Sequence, residues 1–181
     1  DSDYRYMPQL CKMRELGLTR HVGLSVINSP EVIFINDASV EMLQIAVNII
    51  DRRPDDCGVW DWQRQNGVAL FARSVYLQGL LLMPEEQIIP ELRAVIPIRC
   101  ELQRLADEAG MDFSAMCLRY VLSIPEVGSV LFGVDTVEQA RKNVVEMNKP
   151  PLAADLMAAI RATVTALPEM CLQPIIWPKK R

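Results

Sequence analysis

Apolar residues along this chain fall into short unbroken runs, and between the runs they recur every three or four positions. The runs Arg20 to Ser25, Leu43 to Val47, Val68 to Ala72 and Ser129 to Phe132 predict four buried strands, because each is mainly apolar and too short for a helix. Helical spacing fills the gaps. Met7, Leu10 and Met13 predict an opening helix that stops at Gly17, and Asn28-Ser-Pro-Glu31 predicts the turn and cap of a short second one. After the charged turn Asp51-Arg-Arg-Pro54, a helix is expected from Gly58 to Asn66, with Trp60 on its buried side and Gly67 closing it. A long connection runs from Arg73 to Pro97. Two helices then follow closely, one with Leu102, Leu105, Ala106 and Ala109 on one face, the next capped by Ser114 with Leu118, Val121 and Leu122 inside. Thr136 and Gln139 form an S/T-x-x-E/Q capping pattern ahead of a helix whose buried face is read as Val137, Ala140 and Val144. Leu152, Leu156, Ile160, Thr163 and Leu167 predict a last helix, and residues 168–181 are expected to be an irregular tail.

Strands that alternate with helices and show no apolar/polar alternation of their own are the pattern of a parallel sheet. The fold class is therefore α/β, with 1–181 as a single domain. A doubly wound sheet and a portion of a (β/α)8 barrel both fit. No G-x-G-x-x-G follows any strand, so the dinucleotide fingerprint of the doubly wound fold is missing and the barrel is the better match. In either case ligands gather at the carboxyl ends of the strands, which present Ser25, Gln44 to Asn48, Arg73-Ser74 and Gly133 to Thr136. Four strands cannot close a barrel of eight, so an upstream half-barrel or a second copy of the chain is expected to cover the free sheet edges.

Composition narrows the function. Half of the 181 residues are apolar, enough for one domain with a sizeable core. A net charge of −4, with a basic cluster only at Lys179-Lys180-Arg181, argues against nucleic-acid and anionic-membrane partners. No apolar run approaches the ~18 residues of a membrane span. The amino terminus, Asp-Ser-Asp-Tyr, resembles neither a leader nor a start, so the chain is expected to begin inside a longer protein or to have been processed. Cys11, Cys57, Cys100, Cys117 and Cys171 are odd in number and scattered, which predicts reduced thiols in a cytoplasmic protein, with no zinc site. Cys100 and Cys117 are read as core packing. His21, the only histidine, stands at the beginning of its strand and is read as structural.

The stretch Gly128 to Asn143 places a strand, a glycine turn and a capped helix in succession. That geometry turns unpaired N–H groups and the positive end of a helix dipole toward a strand's carboxyl end, where an anion such as phosphate settles. Together with Gly23-Leu-Ser25, Leu43-Gln44 with Asn48, and Ala72-Arg-Ser-Val-Tyr-Leu-Gln-Gly-Leu-Leu81, it resembles the aldo/keto reductases in order and in spacing, from about Tyr4 to Leu167. The wording after the third strand is similar to aldo/keto-reductase-like proteins of bacterial surface-sugar pathways. The resemblance implies strands five to eight of a TIM barrel, its C-terminal half, and NAD(P)H as cofactor. It implies that Ser25 and Gln44 hold the nicotinamide carboxamide and that Arg73 packs on the ring. Ser74 and Leu77 would line the pyrophosphate; Gly133, Asp135 and Thr136 would cradle the adenosine phosphate end; Gln139 and Asn143 would reach the adenine.

Departures from the family pattern matter as much. Val26 stands where the family has an asparagine, and Val75 where it has a proline. Asp135 sits near where a 2′-phosphate would bind, which tilts the cofactor toward NADH because like charges repel. The family's proton-donating tyrosine, with its lysine, aspartate and histidine, belongs to the other half of the barrel; Tyr4, Lys12, Asp3 and His21 do not match them, and no catalytic residue is assigned. Three readings follow. The chain is the cofactor-binding half of a reductase acting on a small carbonyl compound, or a non-catalytic half-barrel that self-associates or senses nucleotide, or an α/β domain whose function lies in other sequence.

Overall fold

In the computed structural model, residues 6–178 are described; Asp1, Ser2, Asp3, Tyr4, Arg5 and the Lys179-Lys180-Arg181 cluster lie outside the described residues. Four parallel strands pair in chain order, β1 (Gly23–Ser25), β2 (Met42–Ala46), β3 (Ala69–Arg73) and β4 (Ser129–Val130). The parallel sheet and its interleaved helices are as the hydrophobic pattern predicts. The edge strands are shorter than their apolar runs: β1 starts at Gly23, not Arg20, and β4 ends at Val130, not Phe132. Each has a neighbour on one side only, so fewer backbone bonds define it. Pairing still trails past the ends, with the Leu131 N–H donating to Ala72 O at 2.7 Å.

Helices α1 (Met7–Glu15), α2 (Arg53–Asp56), α3 (Val59–Asn66), α4 (Ile96–Glu108), α5 (Phe113–Leu122), α6 (Val137–Met147), α7 (Ala154–Thr163) and α8 (Glu169–Leu172) fill the connections. In α3, Val59 is the buried residue, while Trp60 is half-buried and spends its indole N–H on Asp55 at 2.6 Å. That polar partner draws the ring toward the helix start, against the expectation of a core tryptophan. Asp112, not Ser114, occupies the cap position of α5, without a side-chain capping bond. The last long helix ends at Thr163, and the segment expected to be irregular carries α8, which buries Cys171 and Leu172, and a 3-10 turn at Pro174–Ile176. Trp177 holds that segment by donating to Met170 O at 2.7 Å. Among the described residues no helix is long and apolar enough to cross a membrane.

Register divides the sheet into two faces. Ser25 pairs with Gln44, Gln44 with Phe71, Phe71 with Ser129 and Ala46 with Arg73, so these side chains share one face. Leu24, Leu43, Ile45, Leu70, Ala72 and Val130 share the other. The second face is the core: Leu43, Ile45, Leu70 and Ala72 are at most 1% exposed. Each large aliphatic side chain so buried contributes about 1.5–3 kcal/mol. Gly23 is required by close approach, because a Cβ there would lie 2.0 Å from Met42 O. The amino end of the sheet is tied by Glu41, whose carboxylate accepts from the Val22 N–H at 3.0 Å and from Arg14 at 2.7 Å, with His21 Nδ1 3.7 Å away. The Val22 bond, more than Arg14, holds the Glu41 carboxyl below its usual range. His21 is exposed at this end, away from the strand outlets.

Candidate functional site at the carboxyl ends of the strands

At the outlet of β1 and β2 the Ser25 hydroxyl donates to Gln44 Oε1 at 3.0 Å, and the Val26 N–H donates to Gln44 O at 2.8 Å. The pair is a hydroxyl and a primary amide side by side on the open face, a donor and acceptor set complementary to another carboxamide. From the end of β3, Arg73 reaches across β2: Nη2 donates to Val26 O and Nη1 to Ser74 Oγ, both at 3.1 Å. Burial lowers the Arg73 guanidinium below its ordinary value, and the residue takes part in no ion pair among the described residues. Ser25, Gln44, Arg73 and Ser74 therefore form one contiguous group.

The turn after β3 is strained. Ser74, Leu77 and Gln78 have φ of 62°, 47° and 51°, a left-handed region that costs a side-chain-bearing residue of order 1 kcal/mol or more. Val75, Leu77, Leu80 and Leu81, at most 1% exposed, anchor the turn into the core and hold it there. Leu77 consequently points inward, so only its backbone is available to a pyrophosphate. Tyr76, to which the sequence assigns no role, donates its hydroxyl to Asn143 Oδ1 at 3.1 Å and ties the β3 turn to α6. Burial foremost, with the Cys117 thiol and the Glu146 carboxylate nearby, pushes the Tyr76 phenol up to about 12 against the Asn143 bond. A proton donor working near neutrality needs the opposite shift.

Gly133, Asp135, Thr136 and Gln139 make a self-contained cap at the start of α6. The Gln139 N–H donates to Thr136 Oγ1 at 3.1 Å, and Gln139 Oε1 accepts from the Asp135 N–H at 2.7 Å. The reciprocal bond thus lands one residue before the cap position, and Gln139 spends its side-chain oxygen on the turn. The remaining first-turn N–H groups of α6 are left for solvent or an anion. All four residues are exposed, and no hydrogen bond joins them to the Ser25–Arg73 group among the described residues.

The buried face expected for α6 is not buried. Val137 and Val144 are 67% and 56% exposed, and Leu131, Val134, Val145 and Met147 are exposed as well. Among the described residues α5 is the main helix packed on α6, and the side of α6 that carries Val137 and Val144 is exposed. Cys100, expected to pack, is exposed with Sγ 3.5 Å from Glu85 Oε1, whereas Cys117 is fully buried and its thiol is pushed up by desolvation. Phe71, Met42, Ala69, Ser129 and Leu131 also belong to the open face. Alternation from Gln44 and Arg73 would have identified Met42, Phe71 and Ala69 in the sequence.

The Aldo/keto reductase family model matches residues 4–165. Among curated proteins, the uncharacterized oxidoreductase YqkF of Bacillus subtilis is 24% identical over 163 residues, covering 83% of this chain and 52% of that protein. L-glyceraldehyde 3-phosphate reductase of Escherichia coli O157:H7 is 27% identical over 170 residues, covering 80% of this chain and 49% of that protein. The chain spans about half the length of these curated relatives. Among solved structures, the holo form of an aldo-keto reductase from Bacillus halodurans superposes with a TM-score of 0.70 at 21% identity, over 94% of this chain and 59% of that one. The glycerol dehydrogenase of Gluconobacter oxydans gives 0.70 at 19% identity, over 86% and 52%. The fold is thus the parallel α/β arrangement of the (β/α)8 barrels, of which the chain covers part. With order, spacing and fold in agreement, the chain belongs to the aldo/keto reductase family.

Proposed function

We propose that this chain is the cofactor-holding side of an NAD(P)H-dependent oxidoreductase that reduces a small carbonyl compound, and that its catalytic residues come from another half-barrel. The observation that supports this most is the Ser25–Gln44 pair, 3.0 Å apart, on an open sheet face at the strand outlets. The residues fit the group. Ser25 and Gln44 would take the carboxamide, Arg73 would flank the ring, the Ser74–Gln78 backbone would follow the pyrophosphate, and the start of α6 would take the adenosine phosphate end. A nicotinamide dinucleotide, when bound, supplies the hydride; this chain's residues orient it and leave the proton to a tyrosine and lysine upstream. Asn143, already held by Tyr76, and the Gln139 amide would meet the adenine. Asp135, exposed at the cap, favours NADH over NADPH. Five free cysteines fit a reducing, cytoplasmic setting.

The test is a fluorescence titration of the 181-residue chain with NADH and with NADPH. Saturable binding that weakens at least tenfold in Ser25→Ala/Gln44→Ala supports the proposal; no saturable binding overturns it. Asp135→Asn should improve NADPH binding while leaving NADH unchanged.

A second reading is favoured by one observation, the apolar flank formed by Leu131, Val134, Val137, Val144, Val145 and Met147 beside the free edge of β4. On this reading the chain is a non-catalytic half-barrel that associates with a second copy or senses nucleotide. A dimer persisting at low micromolar concentration in light scattering, with no cofactor-dependent shift in Tm, would select it over the first.

A further inference from the structure

Arg73 carries more than a packing role. Its guanidinium is half-buried at the strand outlets, and its two hydrogen bonds, at 3.1 Å each, go to neutral oxygens, Val26 O and Ser74 Oγ. No carboxylate balances it among the described residues. An arginine has five N–H donors, so those two bonds leave spare donors and an uncompensated positive charge. The charge sits next to the carboxamide-binding pair, since Val26 directly follows Ser25 and its own N–H bonds Gln44 O at 2.8 Å. Phe71, the register partner of Gln44, adds an apolar surface on the same face. We infer that Arg73 selects the redox state of the bound dinucleotide, favouring the reduced form, whose ring is neutral, over the oxidised form, whose ring is cationic.

This inference rests on the cofactor reading above. Two like charges within several ångströms in a partly desolvated site disfavour each other by about tenfold or more in binding constant, whereas a neutral ring meets no such penalty. The consequence for the reaction is directional. A site that releases the oxidised cofactor more readily than it releases the reduced one is suited to carbonyl reduction and poorly suited to alcohol oxidation.

The experiment compares NADH, NAD+ and ADP-ribose, which lacks the ring, by titration of the parent chain, Arg73→Gln and Arg73→Lys, with circular dichroism melts to show that each is folded. The parent should bind NADH about tenfold tighter than NAD+. Arg73→Gln should reduce that ratio to below about threefold, chiefly by improving NAD+, and Arg73→Lys should keep the preference. ADP-ribose should bind parent and Arg73→Gln alike. If Arg73→Gln weakens NADH, NAD+ and ADP-ribose together with the ratio unchanged, Arg73 reads the phosphates and the inference is overturned while the cofactor reading stands. If the folded parent binds none of the three, both fall.

Discussion

One sheet, made of four strands, has two faces of opposite character. On the helix-covered face Leu43, Ile45, Leu70 and Ala72 are sealed and carry no polar atom on their side chains. On the other face the same strands present Ser25, Gln44, Phe71 and Arg73, none of them buried. Both faces come from the same short stretches, alternating residue by residue. The difference separates folding from chemistry: the sealed face supplies stability, so the open face is free to hold polar groups and a half-buried cation that contribute little to it. On the sealed face Ser25, Gln44 and Arg73 would lie among apolar side chains without polar partners, which is why they stand at outlet positions of the open one.

Substitutions test that division in order of expected effect. Ile45→Ala, on the sealed face, should cost about 2–5 kcal/mol in urea unfolding, because it removes a fully buried branched side chain and leaves a cavity. Gln44→Ala, its neighbour on the open face, should cost less than about 1 kcal/mol while abolishing the bond to Ser25. Equal losses from the two would break the contrast. Gly23→Ala should cost about 1–3 kcal/mol, since the added Cβ meets Met42 O at 2.0 Å and pushes β1 off β2. The readout is the same unfolding curve together with faster amide exchange at Val26.

Tyr76→Phe should lower stability by about 1 kcal/mol and loosen α6 from the β3 turn, visible as faster exchange in α6 with the strands unchanged. The pH dependence sharpens the point. The Tyr76 phenol is raised from 10.0 to about 12, so its neutral form is the one the fold favours. Its contribution is fully present below pH 10.0 and is lost as pH rises through about 12. Alkaline unfolding of Tyr76→Phe should lack that component. Smallest of all, Val137→Thr with Val144→Thr should change monomer stability by less than about 0.5 kcal/mol, because both side chains are already exposed. A larger loss that depends on protein concentration would mean the α6 flank is covered in solution.

Much of this architecture was legible in the chain. The apolar runs located all four strands to within a few residues, and Thr136 with Gln139 announced the start of α6. What periodicity could not show was whether an amphipathic helix finds something to cover it. Val137, Ala140 and Val144 have the spacing of a buried stripe, yet nothing among the described residues packs over Val137 and Val144. Cys100 fails for the same reason: helical spacing gives a direction around the axis, not the presence of a neighbour. The inward turn of the Leu77 side chain was not legible, because the left-handed φ values at Ser74, Leu77 and Gln78 turn the chain in a way that ordinary propensities do not anticipate.

Local chemistry determined the elements, their parallel character and the capped turn before α6, because strand length, helical period and capping each depend on residues a few positions apart. Only tertiary pairing decided that Ser25, Gln44 and Arg73 meet, that Leu77 turns inward, and that Tyr76 grips Asn143. Register and long-range packing set those outcomes, and a shift of one residue in pairing would exchange the two faces of the sheet.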